Sequence, residues 1–234
     1  MLNLSKWLKS SKTVPLTSFS STKSMWKARP STFAFMLIGN WLYGTGEALL
    51  ITADIGQTPG TVLAQGIQNL TGDSIGWTSF YISVGVMFLW IPLRIKLGIG
   101  TVFNIILVSV AIDVMTPLMP QPDSYGFSVI QVLIGIMVIA IGSAFYIPSN
   151  LGPGPRDGLM TGLHFRTGIP IGRVRFGIEA VLLISGWLLG GSVGLGTVLV
   201  TVLIGEAVAV FFGVVGRVFK PVAQAPESSS GNLL

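Results

Sequence analysis

Leu151-Gly152-Pro153-Gly154-Pro155-Arg156-Asp157 interrupts an otherwise apolar chain, and 96 positions earlier the chain carries Ile55-Gly56-Gln57-Thr58-Pro59-Gly60-Thr61. The likeness extends outward from both breaks. Leu63-Ala64-Gln65-Gly66 falls on Leu159-Met160-Thr161-Gly162, and Thr71-Gly72 on Thr167-Gly168. Ile75-Gly76 falls on Ile171-Gly172, and Gly98-Ile99-Gly100-Thr101-Val102 on Gly194-Leu195-Gly196-Thr197-Val198. Roughly a third of positions 56–102 are identical under this shift, which carries 31–118 onto 127–214 almost without a gap. An internal repeat of that length in so apolar a chain points to a membrane protein built from two halves.

Composition agrees. Half the residues are apolar and only 10% are charged, with a mean hydropathy of +0.75. A soluble domain carries about a quarter charged residues, so lipid is the solvent this surface suits. Lys6, Lys9, Lys12, Lys23, Lys27 and Arg29 crowd the first thirty residues, so the net charge of +5 is tail and loop charge. No basic cluster is interleaved with aromatics, which argues against nucleic acid. The absence of cysteine excludes disulfides and thiolate chemistry, and a single histidine, His164, makes a histidine metal site unattractive. No cofactor is implied. Residues 1–30 lack the apolar core of a signal peptide and read as a basic cytoplasmic tail; an organellar transit peptide shares that composition. Residues 217–234 read as a second cytoplasmic tail, disordered at its small, polar end.

Six stretches have the roughly 18–22 apolar residues that cross about 30 Å of hydrocarbon: 33–51, 75–93, 100–118, 127–147, 176–191 (the shortest) and 195–215. Segments 57–69 and 153–165 are shorter, half apolar, and follow the two breaks. If these short segments do not span, each half has three helices and the halves are inverted. The basic residues favour that arrangement. The N-terminal tail, Arg94 and Lys96, the group Arg156, Arg166, Arg173 and Arg175, and Arg217 with Lys220 all fall on one side. The acidic loops with Asp54, Asp73 and Asp123 fall on the other. The expected fold is therefore all-α: about six transmembrane helices in two inverted three-helix repeats, 31–118 and 127–216. Each repeat carries a short re-entrant or interfacial helix, an extracytoplasmic loop 119–126 joins them, and both termini are cytoplasmic in the plasma membrane.

Non-helical backbone at membrane depth survives only against protein or a water-filled cavity. Glycine lets the chain turn and approach closely, and proline suits a first helical position. Each short helix then presents free N–H groups and the positive end of a dipole, which favours an anion or carboxylate. Gly56, Thr58, Gly60, Gly152, Gly154, Arg156 and Asp157 are the candidate substrate-binding residues. The alternative is that both breaks are loops beside surface helices.

Ionisable groups at depth are costly and mark pathways or partners. Glu47, beside the first break, is the leading proton-coupling candidate. Glu179 shares a helix face with Arg175, four residues away, so an ion pair competes with a functional role. Asp113 lies near the outer end of its span. Glu206, between Gly205 and Ala207, is expected to face the other half. Gly186, Gly190, Gly191 and Gly194 permit close helix approach, Gly135 and Ala140 lack small-xxx-small spacing, and Trp41, Trp90 and Trp187 are expected to face lipid or the interface.

The second break, with Gly158-Leu159-Met160, Arg175 to Glu179, Gly186-Trp187-Leu188-Leu189-Gly190-Gly191 and the stretch 194–198, resembles the YczE-like bacterial integral membrane proteins. Gly98-Ile99-Gly100-Thr101-Val102-Phe103-Asn104 with Ile112-Asp113 carries the same pattern in the first half, while Gln57-Thr58-Pro59-Gly60 departs from the Pro-Trp often found there. The resemblance covers about residues 35–215 and implies a multi-pass inner-membrane protein. It raises Asn104, Asp113, Arg156, Asp157 and Glu179 above the other polar residues.

The expected function is a small secondary transporter or permease for a small anionic or zwitterionic solute, not an enzyme. The alternatives are a passive channel and a non-transporting partner or regulatory subunit. The expected partners are the lipid bilayer and a small-molecule solute, with a second copy or another membrane protein as further candidates.

Overall fold

The computed structural model describes residues 14–21 and 24–219. The terminal part of the basic tail and nearly all of the C-terminal tail lie outside them. The regular structure among the described residues is helical: α1 (Pro30–Ala53), α2 (Pro59–Thr71), α3 (Ile75–Leu93), α4 (Ile99–Met115), α5 (Tyr125–Tyr146), α6 (Pro155–Thr167), α7 (Ile171–Leu188) and α8 (Leu195–Val218), with 3-10 turns after α4 and α5. Four helices are long and apolar enough to cross a membrane, namely α3, α4 and α5 with the 3-10 turns that extend the latter two, and α8. α1 has the length, at 24 residues, but carries Asn40 and Glu47. α7 carries Arg173, Arg175 and Glu179. These are the two long helices in which polar groups dilute the apolar run.

The 96-residue offset returns in the backbone. Left-handed conformations occur at Asp54 and Asn150 (φ 52° and 54°), at Gly56 and Gly152 (110° and 123°), at Gly72 and Gly168 (78° and 70°), and at Arg94 and Gly190 (55° and 86°). Both short helices have proline at their start, and both end on a left-handed glycine, as helix-end stereochemistry favours.

Contacts between the halves are exchanged in the same register. The Gly100 N–H donates to the Leu151 carbonyl at 2.8 Å, and the Gly196 N–H to the Ile55 carbonyl at 2.7 Å. α2 packs on α7, and α6 on α3. The centre is the α1–α5 pair, the most extensive contact in the molecule. It closes over Gly39, Gly46, Gly135 and Gly142: a Cβ on Gly39 would stand 2.7 Å from the Gly142 carbonyl oxygen, and one on Gly142 2.6 Å from that of Gly39. Missing side chains let the backbones approach, and van der Waals contact replaces the hydrophobic drive that lipid cannot supply. This seam repeats every seven residues along each helix, not every four. Around it, Leu50, Val132, Ile136, Ile139 and Val200 form a buried apolar cluster.

The exchange fails in one place. α3 packs along α4, whereas the corresponding α7 and α8 share no comparable contact. Part of the expected tail is also structural. Phe19 is buried against Ala144 and Val215, the Ser20 hydroxyl donates to the Pro148 carbonyl at 2.6 Å, and Asn150 donates to the Ser21 carbonyl at 2.8 Å. Trp90, expected at lipid, is instead only 2% exposed. Its indole N–H donates to the Pro155 carbonyl at 3.0 Å, and its ring fills the space a Cβ on Gly158 would need. Trp187 is exposed as expected.

Candidate functional site

The starts of α2 and α6 meet at the same place. Gly60 and Arg156, equivalent under the repeat, lie against each other: a Cβ on Gly60 would stand 2.5 Å from an Nη of Arg156. Glycine at 60 thus leaves the room that the guanidinium of its counterpart occupies. A cavity of about 140 Å³ opens here, with Tyr43, Glu47, Thr61, Asn104, Tyr146, Gly154, Arg156, Asp157, Arg175 and Glu179 among its lining residues. Three carboxylates and two guanidiniums therefore share one small chamber.

Each charged group is held differently. Glu47, 1% exposed, sits over the start of α2. It accepts from the Thr58 hydroxyl at 3.1 and 3.2 Å and from the Thr61 hydroxyl at 2.7 Å. Thr58 is also the N-cap of α2, accepting from the Thr61 N–H, so one hydroxyl ties the helix start to the buried carboxyl. Asp157, in the first turn of α6, accepts from the Tyr146 hydroxyl at 2.7 Å. A Cβ on the α6 cap, Gly154, would stand 3.2–3.3 Å from Asp157, Asn104 and Tyr146 oxygens, so a larger cap would crowd that cluster. Asn104 donates to Asn40 at 2.7 Å.

The remaining groups are unsaturated. Arg156 feels the fields of Tyr43, Glu179, Glu47 and Asp157. Among the described residues, however, it forms no hydrogen bond and no ion pair within 4 Å. The Oε2 of Glu179 is buried without a hydrogen-bond partner, and the Arg175–Glu179 pair allowed by helical spacing does not form. Arg175 is exposed and reaches the cavity rim.

Glu47, Gly60, Asn104, Gly154, Arg156, Asp157 and Glu179 line the cavity, and Thr58 holds Glu47 beneath it. Gly56 and Gly152 lie away from it, as backbone hinges against the first turns of α8 and α4. Asp113 is a helix cap: its carboxylate accepts from the Ser74 hydroxyl at 2.6 Å and from the Gly76 N–H at 2.8 Å at the start of α3. Glu206, expected to face the other half, is exposed on α8 and lies outside the cavity lining, while its neighbour Ala207 is the one that packs on the core. Tyr43, Tyr146, Ser79 and Ser83 are lining residues that motif reading passed over. Tyr43 lies one helical turn before Glu47. Ser79 and Ser83 are the repeat counterparts of Arg175 and Glu179, a signal that the 96-residue alignment holds.

A family model described as a family of unknown function, DUF6198, matches residues 30–213. The chain belongs to this family. An uncharacterised protein of Haemophilus influenzae is 41% identical to this DUF6198 member over 204 residues, covering 87% of this chain and 93% of the relative. An uncharacterised membrane protein, YczE, of Bacillus subtilis is 36% identical over 107 residues, covering 46% of this chain and 50% of the relative. No solved structure matches. The DUF6198 match and the YczE relative bear out the YczE-like resemblance, and with the apolar helices they make this a membrane protein.

Proposed function

We propose that this DUF6198 protein is a small secondary transporter or permease, without enzymatic activity, for an anionic or zwitterionic solute. In this reading α1, α3, α4, α5, α7 and α8 span the plasma membrane as two inverted three-helix repeats. α2 and α6 are re-entrant half-helices, and both termini are cytoplasmic. One observation carries the reading: the N-termini of the two short helices converge on a charged cavity in which, among the described residues, Arg156 has no hydrogen-bonded anion and one oxygen of Glu179 has no hydrogen-bond partner. Two halves of related structure exchange conformations at small energetic cost, which suits alternating access around such a site. Arg156 and the α6 N-terminus receive the acidic group of the solute, and Glu47 or Glu179 carries the coupled proton.

The chain has no cysteine, so single cysteines report accessibility directly. Leu97 and Val193 are repeat equivalents, 40% and 44% exposed. L97C and V193C are expected to react with an impermeant maleimide from opposite faces, one in intact cells and the other in inverted vesicles. Reaction from the same face overturns the inversion. S83C, on the cavity wall, is expected to react from both faces; silence from both shows a dry plug and ends the transport reading.

A further inference from the structure

We propose that the transported solute is a single-chain zwitterionic amphiphile, an acidic and an amino group carried on an apolar tail. This rests on the carrier reading above and names its substrate class. The charged cavity is small, and it is not isolated. A chamber of about 480 Å³ with mostly apolar walls adjoins it, as does a further space of about 290 Å³. Tyr146, Asp157 and Arg175 belong to the lining of all three. The hydrogen-bonded pair Tyr146–Asp157 is thus the partition between a polar room and an apolar one.

The apolar side is where the two halves differ. Val208 and Phe212 of α8 line both adjoining spaces, and Arg175 of α7 stands across from them. α3 closes on α4 in the first half, while α7 and α8 leave their counterpart position open. Val14 and Leu16 of the N-terminal segment also line the apolar chamber. A wholly polar solute gains nothing from an apolar chamber, whereas an acyl or alkyl chain is removed from water by entering it. Charge selects the head: among the described residues, Arg156 and Arg175 lack a hydrogen-bonded anion and the buried Glu179 Oε2 lacks a donor, so one group of each sign can serve them.

The test uses the full chain in nanodiscs with three radiolabelled probes. These are a lysophosphatidylethanolamine with a twelve-carbon chain, its chain-free head glycerophosphoethanolamine, and the neutral monoacylglycerol of the same chain. The lysolipid is expected to bind saturably and at least 10-fold more tightly than either other probe. V208W, which fills the chamber from α8, is expected to weaken the lysolipid at least 10-fold and leave the chain-free head unchanged. R156A and E179Q, each checked for monodispersity, are expected to weaken the lysolipid at least 10-fold and leave the monoacylglycerol unchanged. Equal binding of the chain-free head overturns the amphiphile and leaves a small-solute carrier standing. Equal binding of the monoacylglycerol overturns the zwitterionic head. No saturable binding of any probe overturns the assignment, and the S83C accessibility result then decides separately whether the carrier reading survives.

Discussion

The two breaks share a backbone and differ in what they carry. Gly56 and Gly152 turn the chain at φ 110° and 123°, and each lies against the start of the last long helix of the opposite half. The side chains then diverge. Position 60 is glycine where 156 is arginine, and position 61 is threonine where 157 is aspartate. Glu47 at the first break accepts from two hydroxyls, whereas its counterpart across the repeat is Ser143. Ser83 in the first half stands where Glu179 stands in the second. The repeated frame thus holds an asymmetric charge distribution: the first half contributes a buried, hydrogen-bonded carboxyl, and the second contributes Arg156 and the Glu179 carboxyl whose Oε2 has no hydrogen-bond partner among the described residues. The lesson is that the same backbone break can recur in both halves while the side chains it presents differ.

Substitutions can break or sharpen this comparison. The largest effect belongs to what the halves share. G56V and G152V each place a β-branched residue at a left-handed φ, with a Cβ 2.6–2.7 Å from atoms of the other half. Backbone strain and overpacking together are expected to cost about 3 kcal/mol or more in both variants, read as loss of a monodisperse peak on gel filtration. Tolerance of one and not the other would show that the equivalence of the breaks is only formal.

Next come positions where the halves differ. E47A leaves the Thr58 and Thr61 hydroxyls without their acceptor and is expected to cost about 2 kcal/mol, whereas S143A at the counterpart is expected to cost less than about 1 kcal/mol. Thermal unfolding in one detergent compares them, and equal shifts would mean that Glu47 is no keystone of the first break. W90F removes the indole donor to the Pro155 carbonyl and keeps most of the ring over Gly158. About 1 kcal/mol is expected, and unchanged melting would show that packing alone seats α6 on α3. The smallest effect returns to symmetry. Gly72 and Gly168 have left-handed φ and open space around them, so G72A and G168A are each expected to cost about 1 kcal/mol from backbone conformation alone. A marked inequality would reveal neighbours that one of these turns acquires in the bilayer.

Much of the frame was legible in the residues. The 96-residue offset predicts short helices over 57–69 and 153–165, and both are found two residues later, at Pro59–Thr71 and Pro155–Thr167. The apolar runs coincide with α3, α4, α5 and α8 within a few residues. Arg156, Asp157, Glu47 and Glu179 were legible as site candidates because charge at depth is expensive and therefore informative, and Asn104 became one only through the family resemblance. Asp113 and Glu206 show where that argument fails: cost at depth says that a group needs a partner, but not which one. Asp113 found the start of α3, and Glu206 lies outside the cavity. Trp90 was misplaced for a related reason, since composition does not distinguish an indole at the interface from one closing over a glycine of the other half. The glycine seam between α1 and α5 escaped notice because its spacing is seven residues and its members lie in different halves.

The sequence by itself determined a membrane protein of two related halves, the places where its helices must break, and the residues too polar to lie idle in lipid. These follow from local rules: hydropathy against bilayer thickness, the conformations open to glycine and proline, and the cost of a charge in hydrocarbon. Only the tertiary structure decided which residues meet. It placed Arg156 against Gly60, tied Asp157 to Tyr146, left Glu179 without Arg175, and opened α7 from α8 while α3 stayed closed on α4. Those outcomes depend on side-chain volumes and directions summed over helices distant in sequence, information that a repeat alignment does not carry.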